Sequence, residues 1–500
     1  SNQLSYPGVW EEKNLLRGNR LVNDKHPERR NPARLDFFFD SGFLFLPCIR
    51  RSGENHKMKF TYSRRFFAKQ VAGGLAFPFV ARTSWAESSP NETLMHASFG
   101  GGGMAGADLG NISSHKNVRV AAVVEIDPNR RRQAQQRFRG ANVYADWREM
   151  LEKEGESLDC VNVSTPDHMH ACMGMSAMQM GLHVYGQKPL THDVAESRAL
   201  NEFAKKNKLV TQMGIQIHSS TQYRTAVKLV HDGVIGKVKE AHSFSNKRWG
   251  DSNPKPDRKD PVPEGLDWDG WIGPAPFTDY IKGYYHPGQW RKRLDYGTGT
   301  FGDMGCHIYD PAFKALGLTY PVSLLSEGPA PNKDNWGFDA RIHYLFPKTK
   351  YSAGKNLPVT WYDGGQRPPP EVTALLEGKK LPGQGSVIIG TKGVMLIPHV
   401  GMPELFPKKS FSDFVIEKVE GTNHWHDFID AIKGTQPIPS ANFSYSGPLS
   451  ETVLLGGIAT RFPNETLKWN AEELSFDGNE EATKLIKRKY RKGWEVKGLS

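Results

Sequence analysis

From residue 94 onward, short apolar runs alternate with stretches of helical period. Leu94-Met95-His96-Ala97-Ser98-Phe99 reads as a strand, as does Val118-Arg119-Val120-Ala121-Ala122-Val123-Val124-Glu125. Asp159-Cys160-Val161-Asn162-Val163-Ser164 and His183-Val184-Tyr185 follow, separated by a Met-rich helical stretch from Met169 to Met180. Strand and helix in strict alternation predict a right-handed, doubly wound parallel α/β sheet. Beyond residue 215 the pattern changes. His242-Ser243-Phe244-Ser245 and Ala340 to Leu345 alternate like half-buried strands, and Gly385 to Leu396 reads as strand, turn and strand. Residues 251–298 are dense in Pro, Asp, Gly, Trp and Tyr. So many aromatics need burial, which predicts a long loop packed over a site.

Composition narrows this picture only slightly. The chain has 500 residues, more than one core usually organises, so two domains with appendages are expected. Hydrophobic residues make up 38% and charged residues 24%, which excludes a disordered or fibrous chain. Four cysteines are too few and too scattered for a disulfide framework, and no zinc spacing appears.

The net charge of +11 suggests an acidic partner until it is located. Residues 1–86 carry +8 of it, leaving +3 for the rest, too little for a nucleic-acid footprint. Within 58–86, Ser63-Arg64-Arg65-Phe66-Phe67-Ala68-Lys69 is similar to a twin-arginine export motif. A short apolar stretch, Val71 to Val80, and the small-residue site Ser84-Trp85-Ala86 follow it. The expectation is a protein exported to the periplasm or beyond, with no membrane span. Residues 1–57 read as an upstream extension, either disordered or ahead of the true start.

Gly100-Gly101-Gly102-Gly103-Met104-Ala105-Gly106 follows the first strand directly. Gly100, Gly102 and Ala105 give one register of a dinucleotide fingerprint; Gly101, Gly103 and Gly106 give another. Either makes a tight turn that brings backbone close to a pyrophosphate at a helix N-terminus. Glu125 ends the second strand about 25 residues on, near the spacing of a ribose-binding acid. A carboxylate there favours NAD; Arg130, Arg131 and Arg132 keep NADP open. Thr165, Pro166 and His168 follow the next strand, at the sheet edge where ligands bind. Cofactor-binding candidates are therefore Gly100, Gly102, Gly103, Met104, Glu125, Thr165, Pro166 and His168.

The glycine run, Ser164-Thr165-Pro166-Asp167-His168, Gln187-Lys188-Pro189, Gln212 to Gln216 and Gly302-Asp303-Met304-Gly305-Cys306-His307 together resemble the Gfo/Idh/MocA oxidoreductases. This is the glucose–fructose oxidoreductase and inositol dehydrogenase group, and the resemblance covers roughly residues 92–497. It implies a Rossmann domain over 87–215. An α+β domain over 216–500 follows, with a large open, mostly antiparallel sheet that supports the substrate and a homo-oligomer (dimer or tetramer). It adds Lys188 and Gln216 to the cofactor-side residues. The family's usual Glu-Lys-Pro is here Gln187-Lys188-Pro189.

Asp303 and His307 are four apart, so a helix would put them on one face. A carboxylate beside an imidazole suits proton removal from an alcohol, and a lysine suits a developing alkoxide. The resemblance matches these to the family's catalytic group: Lys188, Asp303 and His307, with either His307 or Lys188 as base. Trp290, Arg291 and Tyr296 are substrate-wall candidates, since aromatic faces stack on sugars and Arg offers forked donors. His218 is a further substrate candidate. His168, His170 and His218 fit no zinc template with His307, so no metal is expected. Cys306 reads as helix packing.

The leading expectation is an exported oxidoreductase moving hydride between a sugar or cyclic polyol and a tightly held nicotinamide cofactor. Alternatives are glycoside cleavage through a transient keto-sugar, and a catalytically silent sugar-binding relative.

Overall fold

The computed structural model describes residues 93–499, which fall within one compact unit. The expected export segment 58–86 and the upstream extension 1–57 lie outside the described residues.

The first domain is a six-stranded, all-parallel sheet. Its strands are β1 (Leu94–Phe99), β2 (Val118–Val124), β3 (Asn142–Tyr144), β4 (Cys160–Val163), β5 (His183–Gln187) and β6 (Thr211–Gly214). They lie in the order β3-β2-β1-β4-β5-β6. The strand order reverses between β1 and β4, and ligands bind at such a point in open α/β sheets. Helices on both faces bury β1, β4 and β5, and the polar residues His96 and Asn162 that these strands carry bond to each other across the sheet at 2.8 Å. The crossover helices start where the sequence supplies caps. Asp127 accepts from the Asn129 and Arg130 amides ahead of Pro128, and Asp193 forms a capping box with Glu196. The Met-rich stretch is the helix Asp167–Gln179, and Met169, Met173, Met175 and Met178 are buried in its packing.

The second domain carries a nine-stranded sheet. Its strands are β7 (Val238–Ser245), β8 (Ser323–Glu327), β9 (Arg341–Pro347), β10 (Asn356–Asp363), β11 (Gln384–Gly390), β12 (Val394–Pro398), β13 (Glu404–Phe406), β14 (Thr466–Asn470) and β15 (Ser475–Asp477). The order is β13-β12-β11-β7-β10-β9-β8-β14-β15, antiparallel except between β7 and β10. The helix Gly299–Ile308 is buried along its whole length, next to the almost wholly buried helix Phe443–Ala459.

Residues 251–298 form an irregular strap with its own aromatic core, built on Trp268, Trp271, Tyr280, Tyr284, Tyr285, Trp290 and Tyr296. The C-terminal tail returns to the first domain. Arg488 pairs with Glu196 and Asp193, and the Arg148 guanidinium lies 4.2 Å over the Trp494 ring.

Candidate active site

The glycine turn leaves β1 and opens the helix Gly103–Ile112. Gly100 has φ +106°, and a Cβ there would stand 2.7 Å from Ala105 Cβ and 2.9 Å from Ser164 O. Only glycine fits. At Gly103 nothing lies within 4 Å of a would-be Cβ, so the helix N-terminus faces open space. A cavity of about 340 Å³ runs from this turn past Glu125, Arg130, Thr165 and Pro166 to Trp290 and Arg291. An open helix N-terminus, a glycine cradle and an adjacent arginine fit the diphosphate of a dinucleotide. Gly100, Gly102, Gly103, Met104, Thr165 and Pro166 all line this cavity.

Other cofactor-side candidates are placed differently. Glu125 lines the cavity, but its carboxylate faces inward. Oε2 accepts from the Gly101 and Gly102 amides at 3.0 and 3.1 Å, and Oε1 from the Asp127 amide at 3.0 Å. Expected as a ribose acceptor, it here braces the glycine turn. His168 is fully buried, with Nε2 on Trp271 O at 2.9 Å and its ring against Trp271 and Tyr296. It joins the strap to the first domain and does not reach the cavity. Gln216 points its amide at Asp108 and Tyr185 over long contacts of 3.5 and 3.4 Å.

Lys188, at the end of β5, and Asp303, on the helix Gly299–Ile308, meet across the two domains. Lys188 Nζ donates to Asp303 Oδ1 and to Asp303 O, both at 2.8 Å. Arg291 Nε donates to the same Oδ1 at 3.1 Å. Burial pushes the Asp303 carboxyl up, but Lys188 and Arg291 more than reverse this and hold it well below the usual carboxylate range. His307 sits one turn on. Burial, with Lys188 and His399 nearby, pushes it well below the ordinary histidine value, so its ring is neutral at neutral pH. His399 lies after β12 with its ring 5.8 Å from that of His307. Burial and Lys188 lower His399 to about 4.

Of the substrate-wall candidates, Trp290 and Arg291 line the cavity, the Arg291 guanidinium lying 4.3 Å over the Trp290 ring. His218 and Tyr296 do not. His218 is buried, gives Nδ1 to Asp310 Oδ2 at 2.8 Å and packs against the Tyr223 and Tyr445 rings. Tyr296 is enclosed by His168, Trp271 and Tyr285 in the strap core. Both were expected at the substrate wall, Tyr296 for its aromatic face, and tertiary packing turns both away. Cys306 is buried with its thiol pushed up to about 12, which leaves it an unreactive packing group. Among the described residues no group of three or more His, Cys, Asp or Glu is placed to hold a metal ion.

Sequence reasoning missed His399, Asp108 and the strap contact from His286 Nε2 to Asp127 Oδ2 at 2.9 Å. A lone histidine after a strand carries no periodic signal. Asp108 is fully buried and accepts from Ser164, Gln187 and Trp425; the glutamine at position 187 was its only trace in the sequence.

Two family models match. An oxidoreductase family with an NAD-binding Rossmann fold matches residues 96–215, and that family's C-terminal alpha/beta domain matches residues 219–360. A levoglucosan dehydrogenase of Pseudarthrobacter phenanthrenivorans is 23% identical over 195 residues, 39% of this chain and 42% of the relative. A scyllo-inositol 2-dehydrogenase (NAD(+)) of Bacillus subtilis is 33% identical over 89 residues, 18% of this chain and 25% of the relative. Each alignment thus spans less than half of the curated relative. Among solved structures, the WlbA dehydrogenase from Bordetella pertussis, in complex with NADH and UDP-GlcNAcA, superposes with a TM-score of 0.53. It is 13% identical, with 76% of this chain and 99% of that chain covered, a likeness of fold.

Proposed function

The chain belongs to the Gfo/Idh/MocA oxidoreductase family, with an NAD-binding Rossmann domain at residues 96–215, and from that premise we propose that it moves hydride between a carbinol carbon of a sugar or cyclic polyol and a nicotinamide cofactor. The observation that carries this reading is the Lys188–Asp303 pair, closed at 2.8 Å between residues 115 apart and joined to the nucleotide cavity through Arg291. A nicotinamide cofactor bound at the glycine turn supplies the hydride acceptor. Lys188, whose Nζ donates to Asp303 Oδ1 and O, is placed as a donor to the carbinol oxygen, where it stabilises developing alkoxide. His307 is neutral and accepts the hydroxyl proton. This reading takes His307 as the base and Lys188 as the polarising donor.

The reading includes a tightly held cofactor, recycled by paired oxidation and reduction. The strap supports this. His286 ties it to Asp127 at the edge of the cavity, and Arg491 of the tail donates to Gly273 O and Asp269 O at 3.1 and 3.0 Å. Trp494 of the tail also lines the cavity. Export by the twin-arginine route is the cellular part of the proposal, since a folded, cofactor-loaded protein suits that route. Among the described residues no helix is long and apolar enough to cross a membrane. Association through the second sheet, whose face bearing Leu325, His343 and Leu345 is half-exposed, completes it.

Mass spectrometry of the denatured, purified protein tests the cofactor, and a sugar and polyol panel read by nicotinamide absorbance tests the reaction. Absence of any nicotinamide nucleotide, together with no reduction on adding NAD and the panel, sinks the proposal. Cell fractionation and light scattering test export and assembly.

A further inference from the structure

We infer that the substrate is an acidic sugar, a uronic or aldonic acid whose carboxylate is gripped by Arg291; this rests on the hydride-transfer reading above. Arg291 stands in the short turn Gln289–Lys292 with its side chain 28% exposed beside the catalytic carboxylate. Its Nε is committed to Asp303 Oδ1. Its two Nη nitrogens have no hydrogen-bond or ion-pair partner among the described residues. The guanidinium lies 4.3 Å from the Trp290 ring centre and 5.4 Å from that of Trp249. Two indoles hold it in place, with the Nη edge left for a ligand. That edge matches a carboxylate, which takes two parallel N–H donors.

The charge balance points the same way. Lys188 and Arg291 both converge on one oxygen of Asp303, two cations on one anion, with Lys188 and Asp303 12% and 10% exposed. His307 and His399 are neutral and offset nothing. Asp167, which accepts from Thr298 Oγ1 at 2.7 Å, is pushed up by burial, against the opposing pull of His170, Thr298, Lys188 and Arg291. Lys188 and Arg291 thus share the Asp303 carboxylate, and a second anion beside the free Nη edge of Arg291 would be favourable. A ligand carboxylate supplies that second anion. The Trp249 indole N–H is also buried without an acceptor, so the donors around Arg291 outnumber the acceptors. Asp303 Oδ2, without a partner among the described residues, remains for a sugar hydroxyl.

Arg291 also lines the nucleotide cavity, so a cofactor phosphate is the competing anion, and the experiment separates the two. Holoenzyme is assayed with D-glucuronate, D-galacturonate and D-gluconate against D-glucose, D-galactose and D-glucitol. The acids are expected to reduce the bound cofactor with kcat/KM about 10- to 100-fold above their neutral counterparts, the worth of one charge-assisted pair. Arg291→Gln raises KM for the acids by about the same factor and abolishes the preference, with cofactor content by mass spectrometry unchanged. Arg291→Lys keeps the charge without the fork and gives a smaller rise. Neutral sugars used as well as the acids overturn the inference and leave hydride transfer standing. Loss of cofactor from Arg291→Gln with KM unchanged assigns Arg291 to the nucleotide and also overturns it. No cofactor reduction by either set overturns both readings.

Discussion

Gln187 donates its side-chain amide to Oδ2 of Asp108 at 2.8 Å, joining the strand that carries Lys188 to the helix that follows the glycine turn. Asp108 is fully buried and also accepts from Ser164 Oγ at 2.8 Å and Trp425 Nε1 at 2.9 Å. One carboxylate thus ties the ends of β4 and β5 to the nucleotide helix. A glutamate at position 187, the residue the family resemblance leads one to expect, would set two carboxylates against each other. The glutamine is the partner that Asp108 requires. Gln187→Glu is expected to destabilise the fold by about 3 kcal/mol, the scale of an uncompensated buried charge. Asp108→Asn in the same chain should restore most of it. Urea unfolding of both variants checks this, and a stable single variant would refute the coupling.

Lys188→Met removes the donor proposed for the reacting oxygen and leaves Asp303 paired with Arg291. The expected result is a fall in kcat of about 10²- to 10⁴-fold, with cofactor content unchanged. Steady-state kinetics on holoenzyme, with the cofactor quantified after denaturation, decides it. Near-normal turnover would remove Lys188 from the chemistry.

His307→Ala should cost a similar factor in kcat. The pH profile is more diagnostic. A base is active when neutral, and the His307 value is pushed well below 6.5 by burial and by Lys188. Activity in the oxidative direction should therefore stay level as pH falls through 6.5 and decline only well below it. A clear acid limb centred on 6.5 would show that His307 is not the base.

The His286–Asp127 contact is partly shielded, with side chains 16% and 18% exposed. Breaking it with His286→Ala should loosen the strap over the cavity and speed cofactor loss by about tenfold, the effect of roughly 1.4 kcal/mol. Gel filtration followed by absorbance of the retained nucleotide measures the rate. Equal retention in variant and parent would show that the strap does not hold the cofactor.

Stability should fall as pH drops below 6.5. Burial lowers His96, His242 and His399 to about 4 and His424 to about 3, and pushes His168 and His307 well down too. Between pH 6.5 and 4 the unfolded chain binds protons that the folded one does not, so stability falls as pH falls. Each such histidine contributes a slope of about 1.4 kcal/mol per pH unit. Melting temperatures across this range should drop steeply, and a flat profile would contradict neutral burial of this set.

The fold was largely legible. The doubly wound sheet followed from β1, β2, β4 and β5, whose apolar runs are long enough to stand out. β3, only Asn142–Tyr144, and β6, Thr211–Gly214, are short and half-polar, and escaped notice. In the site, the Asp303–His307 spacing and the lysine after Gln187 were readable because helical period and local motif are properties of neighbouring residues. His168, His218 and Tyr296 were misplaced because each lies beside a motif in the chain, and nothing in a local pattern states which way a ring turns.

By itself, the sequence determined the alternation of the longer strands and helices and the glycine turn, and its motifs pointed to Lys188, Asp303 and His307. Periodicity, backbone freedom at glycine and residue chemistry are all local. Only the tertiary structure decided what surrounds these groups. It brought Arg291 onto Asp303, set His399 beside His307, turned Glu125 into the glycine turn and placed Asp108 against Gln187. These pairings join residues up to 92 positions apart, and they set charge and protonation through burial and Coulombic contact, which depend on distance in space.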